Sequence, residues 1–216
     1  LSPQPTDLLA LTDHIFRSIN PPPLSGRLRL GIPNEFASTL LPGLIGEFSK
    51  RYPDVSLEVT SSLSRDLLHK SKRDEFDLIL ALVSPHEQTE GEVILEDDMV
   101  WVGDKAKPLA GDMIPLVLAP DGCIYRSRVI EQLKQQTRPW KISYTNADLT
   151  GLTAAIKEGL GITALAKSST PTNLHVMSDR RLPSLGKVNI CLFNQDTQHP
   201  KISRTLADFF VSRLRN

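Results

Sequence analysis

The chain has 216 residues, enough for two small domains or one large one, and its apolar content of 40% is ordinary for a globular protein. Its 25 basic residues balance its 25 acidic residues, so it lacks the positive field that attracts nucleic acid phosphates. The sequence shows no apolar run near the roughly 20 residues that cross a bilayer and no secretory signal, which predicts a cytoplasmic location without membrane contact.

The first predicted element is an amphipathic helix. Apolar residues recur at helical spacing between Thr6 and Ser18, and Asn20 with the three prolines that follow it ends the helix in a stiff linker. The apolar stripe needs a partner, which is this domain, a second copy of the chain or a further N-terminal domain. Because the chain begins at Leu1 rather than at methionine, we expect a fragment of a longer protein.

The stretch from Gly26 to Val83 alternates strands and helices. Apolar spacing predicts a helix that starts after the caps Ser38 and Thr39, and a short second helix around Leu67. Such alternation favours a parallel sheet with helices on both faces. Three segments are predicted strands: Arg27 to Ile32, Val55 to Val59 and Phe76 to Val83.

Polar groups follow the first two strands, at turns that start at Pro33 and Ser61. Sheets of this kind bind ligands beyond the carboxyl ends of their strands. Asn34, Ser61 and Ser62 offer amide, hydroxyl and backbone donors that suit a carboxylate or another small polar ligand. Glu35 would repel an anion, so a neutral or cationic ligand stays open. The alternative is that these residues only cap helices.

A second alternating unit follows a long strand. Val93 to Val102 is predicted as one crossing between two sheets, and Val188 to Phe193 as the return crossing. Ile202 to Leu214 forms a closing amphipathic helix. The order predicts an α/β protein with two Rossmann-like lobes around a cleft. Between the crossings lie the predicted strands Ile114 to Leu118, Ile142 to Tyr144 and Ile162 to Ala166, a helix through Leu133, a polar turn Thr145 to Asp148 and a helix through Ile156.

Five short motifs follow one another along the chain: Gly26-Arg27-Leu28-Arg29-Leu30-Gly31, Leu40-Leu41-Pro42, Tyr52-Pro53-Asp54-Val55, Phe76-Asp77-Leu78-Ile79-Leu80 and Glu158-Gly159-Leu160-Gly161-Ile162. Together they resemble the effector-binding domain of LysR-type transcriptional regulators, from about Asp7 to the C-terminus. The N-terminal helix and its Pro-Pro-Pro-Leu-Ser-Gly bridge are similar to the linker of the subgroup that represses motility and exoenzyme genes.

The resemblance implies a bacterial, non-enzymatic regulator with a type 2 periplasmic-binding-protein-like fold, which forms dimers and tetramers when full length. DNA would be bound only by an N-terminal winged helix-turn-helix that is absent from this chain. The implied divisions are a linker helix and hinge at 1–24, lobe I at 25–102 plus 195–216, and lobe II at 103–194. A small effector would bind between the lobes, at the positions carried over from the family: Asn34, Glu35, Phe36, Ser61, Ser62, Cys123, Ile124, Thr145 and Asn146.

Cys123 has a separate hypothesis. It is predicted at the start of a helix, with Arg126 and Arg128 close behind, and both the helix dipole and positive charge lower a thiol pKa. Its placement resembles the reactive cysteine of the family's peroxide sensors, which predicts a thiol pKa below about 7.5 if Cys123 senses redox state. Gln132 stands where those members have a resolving cysteine, so a disulfide would need Cys191. Lining the cleft and plain packing are the alternatives.

Other functional classes have weak support in the sequence. The five histidines are dispersed and no catalytic motif follows a predicted strand, so we expect no metal, no cofactor and no enzymatic activity. Lys70, Lys72 and Arg73 are predicted as a solvated helix end. A stand-alone solute-binding protein of the same two-lobed fold is the alternative from another class.

Overall fold

The structure, a computed structural model, describes residues 23–194 and 199–215. The predicted N-terminal helix lies outside these residues. The strands are β1 Gly26–Ile32, β2 Val55–Ser61, β3 Leu78–Val83, β4 Glu92–Gly103, β5 Ile114–Leu118, β6 Trp140–Thr145, β7 Thr163–Ala166, β8 His175–Val176 and β9 Lys187–Asn194. The α-helices are α1 Asn34–Thr39, α2 Leu41–Arg51, α3 Ser64–Leu67, α4 Ile124–Gln135, α5 Leu149–Lys157 and α6 Pro200–Arg215, with 3₁₀ turns at Arg73–Glu75 and Lys167–Ser169.

Two strands cross between the lobes, as predicted. The main sheet has the order β2-β1-β3-β9-β4-β7, with β8 beside β4, and β5 and β6 form a separate pair. The pairs β1–β2, β1–β3 and β5–β6 are parallel, whereas β9 is antiparallel to β3 and β4. The expectation of a parallel sheet therefore holds within each unit and fails at the crossings, because a chain that leaves a lobe and returns to it runs in opposite directions.

The first lobe, β1–β3 with α1–α3 and α6, is built on a continuous apolar core. Alternate residues of β1 are fully buried, and all six residues of β3 are buried because helices cover both faces of the sheet. The α2 residues Leu41, Leu44 and Phe48 are buried on one face. Phe48 packs edge-on against Phe209 of α6, with ring centroids 5.2 Å apart, so α6 closes this core.

The start of the first helix differs from the prediction. Asn34, Glu35 and Phe36 were predicted as a turn and form the first residues of α1, directly after Pro33. Proline suits this position for two reasons. Its φ, here −62°, is fixed near the helical value, and the amide hydrogen that it lacks would have no partner within the helix. The predicted caps Ser38 and Thr39 were also wrong: both lie within α1, and the residue that precedes α2 has no side-chain cap.

The second lobe, β5–β7 with α4 and α5, depends on two glycines after α5. Gly159 and Gly161 have φ values of +83° and +154°. A Cβ at Gly161 would lie 2.7 Å from the carbonyl carbon of Pro115, so only glycine allows this approach. The close approach lets Ile162 N donate to the Pro115 carbonyl oxygen at 3.0 Å, and the Ile162 carbonyl oxygen accepts from Val117 N at 2.9 Å. The glycine motif of the sequence therefore joins β7 to β5.

Candidate functional site

A cleft of about 1000 Å³ lies between the lobes. It is bounded by the segments that follow β1, β2 and β5, the start of α4 and part of β7. Its volume is at the upper end of the range of small-molecule pockets, and a position beyond the carboxyl ends of parallel strands is where α/β folds bind ligands. Geometry alone therefore marks this cleft as the candidate site.

Six of the nine positions predicted for the effector line this cleft: Asn34, Glu35, Ser61, Ser62, Cys123 and Ile124. The strand register explains the first four, because β1 and β2 pair in parallel with Ile32 opposite Ser61. The residues that follow the two strands thus leave the sheet at the same edge. Cys123 and Ile124 reach the cleft from the opposite lobe, at the start of α4.

Three predicted positions do not line the cleft. Phe36 is fully buried in the core of the first lobe, because the helical turn at Asn34 directs it away from Glu35. Thr145 is the last residue of β6 rather than part of a turn, and it is exposed. Asn146 makes its side-chain hydrogen bonds within its own loop. Its amide nitrogen donates to Tyr144 OH at 3.0 Å, and its amide oxygen accepts from Asp148 N at 2.9 Å.

Two of the cleft residues bridge the lobes. Asn34 Oδ1 accepts a hydrogen bond of 2.8 Å from Leu149 N, the first backbone amide of α5. Glu35 Oε1 accepts a hydrogen bond of 2.8 Å from the Tyr125 hydroxyl on α4. Tyr125 was not predicted as a site residue, although it directly follows Cys123 and Ile124, which were. The pair Asn34 and Glu35 therefore connects α1 to both helices of the second lobe.

Burial controls the ionisation of the Glu35–Tyr125 pair. Both residues are buried, and loss of water around the carboxylate raises the pKa of Glu35, only partly offset by its own backbone N–H and by the Tyr125 hydroxyl. Burial and the neighbouring Glu35 charge likewise raise the pKa of Tyr125 well above its usual value. Within residues 23–194 and 199–215, no ion pair involves Glu35. Its carboxyl group is a buried acid with a neutral partner.

Two arginines that the sequence did not single out as site residues meet at the mouth of the cleft. Arg65, in α3, donates from Nη2 to the Asp121 carbonyl oxygen at 3.4 Å across the lobes. The guanidinium covers Gly122, where φ is +92° and a Cβ would collide with it. Arg126 approaches the same loop from α4, with its Nε 2.8 Å from Asp121 Oδ1. The loop at Asp121 therefore receives positive charge from both sides.

Arg73 corrects a prediction. The sequence placed it in a solvated basic cluster, whereas it lines the cleft with its side chain only 26% exposed. Its guanidinium lies 5.6 Å from the ring centroid of Phe193 and 3.4 Å from Glu90 Oε2. Phe193 belongs to the return strand β9, which local sequence patterns could not bring next to Arg73.

The structure contradicts the low pKa predicted for a redox-active Cys123. The thiol is buried, and desolvation raises its pKa to about 11 despite nearby backbone N–H groups at the start of α4. Arg126 lowers the thiol pKa only slightly. Cys191, on β9, is fully buried with a pKa also raised to about 11. Neither thiol has the ionisation that a peroxide sensor needs.

The described part of the chain contains neither a metal-binding cluster nor a membrane-spanning helix. Over residues 23–194 and 199–215, His, Cys, Asp and Glu side chains form no cluster of three or more that could hold a metal ion. In those ranges the helices are also too short or too polar to span a membrane.

The fold and the cleft define a two-lobed ligand-binding domain of the type 2 periplasmic-binding-protein-like class. Residues 22–214 match the model of the LysR substrate binding domain, so the chain belongs to that family. The resemblance read from the five motifs is therefore confirmed at the level of the family.

The chain is similar to transcriptional regulators of bacteria. It is 27% identical over 172 residues to the HTH-type transcriptional regulator DgdR of Burkholderia cepacia, covering 78% of this chain and 58% of that protein. It is 24% identical over 180 residues to the HTH-type transcriptional regulator PecT of Dickeya dadantii, covering 82% and 57%. The chain thus spans less than two thirds of the length of these relatives.

The fold is similar to that of the CcmR regulatory domain of Synechocystis PCC6803, solved in complex with 2-PG. The TM-score is 0.68 at 20% identity, and the match covers 89% of this chain and 99% of that chain. At this identity the similarity establishes the fold alone.

Proposed function

We propose that this chain is the effector-binding and oligomerisation domain of a LysR-type transcriptional regulator. A small molecule binds between its lobes, and a separate N-terminal domain binds DNA. The regulator works in the cytoplasm, forms dimers and tetramers, and catalyses no reaction. We assign lobe I to residues 25–102 plus 195–216, lobe II to residues 103–194, and the linker helix and hinge to residues 1–24.

The observation that carries this proposal is the cleft of about 1000 Å³ with polar groups from both lobes. Ser61 and Ser62 face it from the first lobe, and Tyr125 and Arg126 from the second. A ligand that contacts both sides can change the angle between the lobes, because it binds one arrangement better than another. Family membership and the names of the relatives support a regulatory use of that change.

The residues proposed to contact the effector are Asn34, Glu35, Ser61, Ser62, Cys123 and Ile124, together with Tyr125, Arg65 and Arg126. Burial and the raised pKa of Cys123 weigh against the alternative of a thiol-based sensor. In this proposal Cys123 is an apolar contact on the cleft wall.

A screen of small metabolites by thermal shift tests the function. A compound that binds the native cleft raises the melting temperature by mass action. For each such compound, Ser62→Trp should weaken binding by at least about tenfold by calorimetry, since the indole occupies cleft volume and about 1.4 kcal/mol is lost.

The matched control is Ser56→Trp, near the other end of β2, where the serine is exposed and does not line the cleft. Its affinity should equal that of the wild type. Equal binding by both tryptophan variants would place the ligand elsewhere and overturn the proposal. Light scattering tests the oligomeric part, because a strict monomer at high concentration contradicts it.

A further inference from the structure

The charges around the cleft do not balance. Each of its three guanidinium groups has a carboxylate partner: Arg65 with Asp66 at 3.7 Å, Arg73 with Glu90 at 3.4 Å and Arg126 with Asp121 at 2.8 Å. Five carboxyl groups line the cleft: Glu35, Asp66, Glu87, Glu90 and Asp121. The described lining therefore holds two more carboxyl groups than guanidinium groups.

The two acids in excess, Glu35 and Glu87, differ in their access to water. Glu87 is exposed at the rim, where solvent screens its charge. Glu35 is buried, and its hydrogen-bonding partner across the lobes is the neutral Tyr125 hydroxyl. A buried carboxylate without a counter-charge is costly, and a bound cation would remove that cost.

The surroundings of the cleft add a second criterion. Leu149, Leu152 and Leu165 are buried and line it from the second lobe, so a short hydrocarbon group can pack there. A ligand carboxylate directed towards Glu35 would meet either a like charge or a proton that must be supplied. An ammonium group meets an acceptor instead.

We propose that the effector carries a positively charged amino group, which binds beside Glu35 while its hydrocarbon part packs against the leucines of the second lobe. This inference rests on the proposed function and adds the chemical class of the ligand. Glu35 is then the residue that selects amines over acids. Each of the three arginines already has a carboxylate within 4 Å, and of their buried atoms Nε of Arg73 and Nε of Arg126 make no hydrogen bond to the described residues.

Matched probes test the head group. The chain is titrated in a calorimeter with amines, alcohols and carboxylic acids that share one hydrocarbon body, such as isobutylamine, isobutanol and isovalerate, and with longer homologues. The amines should bind at least about tenfold more tightly than the acids of the same body. Glu35→Gln, which keeps a carbonyl acceptor for Tyr125, should reduce this preference to less than about threefold.

A control variant separates the contribution of Glu35 from that of the general electrostatic field of the cleft. Glu87→Gln removes the same charge at the exposed rim and should leave the amine preference within about twofold, because solvent screens that site.

The outcomes are distinguishable. Tighter binding of acids than of amines would overturn the inference and leave the proposed function standing. An amine preference that persists in Glu35→Gln would also overturn it. If neither these probes nor any metabolite of the screen binds the chain, both the inference and the proposed function fail.

Discussion

The two lobes hold together in different ways. In the first lobe, β1 and β2 pair along seven consecutive residues, from Gly26 with Val55 to Ile32 with Ser61. In the second, β5 pairs with β6 over five residues, Ile114 to Leu118, but it joins the chain entering β7 at a single bridge, between Leu116 and Ile162. The first lobe distributes its pairing over a whole strand, whereas the second concentrates this join at one point.

The side-chain contacts follow the same division. The rings of Phe48, Tyr52 and Phe209 form an aromatic cluster in the first lobe, with centroid distances between 5.1 and 6.2 Å. In the second lobe, single side chains hold backbone carbonyls. Trp101 Nε1, near the end of the crossing strand β4, donates to the Pro183 carbonyl oxygen of the second lobe at 2.8 Å. Arg128 donates from α4 to the Leu185 and Lys187 carbonyl oxygens at 2.6 and 3.2 Å.

The difference has a functional consequence. Lys187 begins β9, one of the two strands that cross between the lobes, and Arg128 lies five residues after Cys123 at the cleft. One helix, α4, therefore touches the cleft at its start and the crossing strand a turn later. We therefore expect a single substitution at a contact of the second lobe to lower the free energy of unfolding more than a single substitution in the first lobe.

Gly161→Ala should have the largest effect. The added Cβ would collide with the Pro115 carbonyl, and alanine disfavours a φ of +154°, so we expect a loss of more than about 4 kcal/mol in the free energy of unfolding. Urea denaturation measures this loss. Gly46→Ala is the control, since nothing lies within 4 Å of its Cβ position in α2, and it should be neutral or stabilising. If Gly161→Ala unfolds like the wild type, the single join is not critical.

Phe48→Ala should cause the second largest loss of stability, and it tests the apolar core of the first lobe. The ring is fully buried between α2 and α6, so its removal leaves a cavity and should cost about 3 to 4 kcal/mol in the free energy of unfolding. Phe48→Leu keeps most of the volume and should cost less than about half as much. Denaturation of both variants at one pH checks this order. Equal losses would contradict the cavity explanation.

Glu35→Gln tests how the buried carboxyl group at the contact between the lobes affects the pH dependence of stability. The folded-state pKa of Glu35 is raised, so below its ordinary value of 4.5 both states hold the proton and glutamine should have little effect. Above that value the unfolded state loses the proton first, and wild-type stability falls by at most about 1.4 kcal/mol per pH unit until the folded-state pKa is passed.

The glutamine variant should therefore gain stability over the wild type as pH rises above 4.5. Urea titrations of the two proteins across this range measure the gain. A difference between wild type and Glu35→Gln that stays constant with pH would contradict the raised pKa.

The smallest effect concerns Cys123. A thiol pKa of about 11 leaves about one thiol in ten thousand ionised at pH 7, so native Cys123 should react slowly with a disulfide reagent and peroxide should not alter ligand binding. Labelling of the Cys191→Ser variant, native and in urea, isolates Cys123. Native labelling as fast as in the unfolded chain would show an open, ionised thiol.

Local patterns predicted the elements well where apolar spacing was strong. Val93 to Val102 was predicted as one crossing strand and lies within β4, and the helix predicted through Ile156 is α5. The start of α1 was missed, because polar residues at Asn34 and Glu35 are also typical of a turn. Arg73 was missed because its partners, Glu90 and Phe193, follow 17 and 120 positions later in the chain.

The sequence by itself determined the order of strands and helices and the presence of polar groups after β1 and β2. Only the tertiary structure decided which of these groups share a cleft and which charges they meet. Glu35 and Tyr125 are 90 residues apart in the chain, so their hydrogen bond and the burial that raises both pKa values exist only after the lobes come together. Apolar spacing acts over a few residues, whereas desolvation and pairing depend on what the fold brings near.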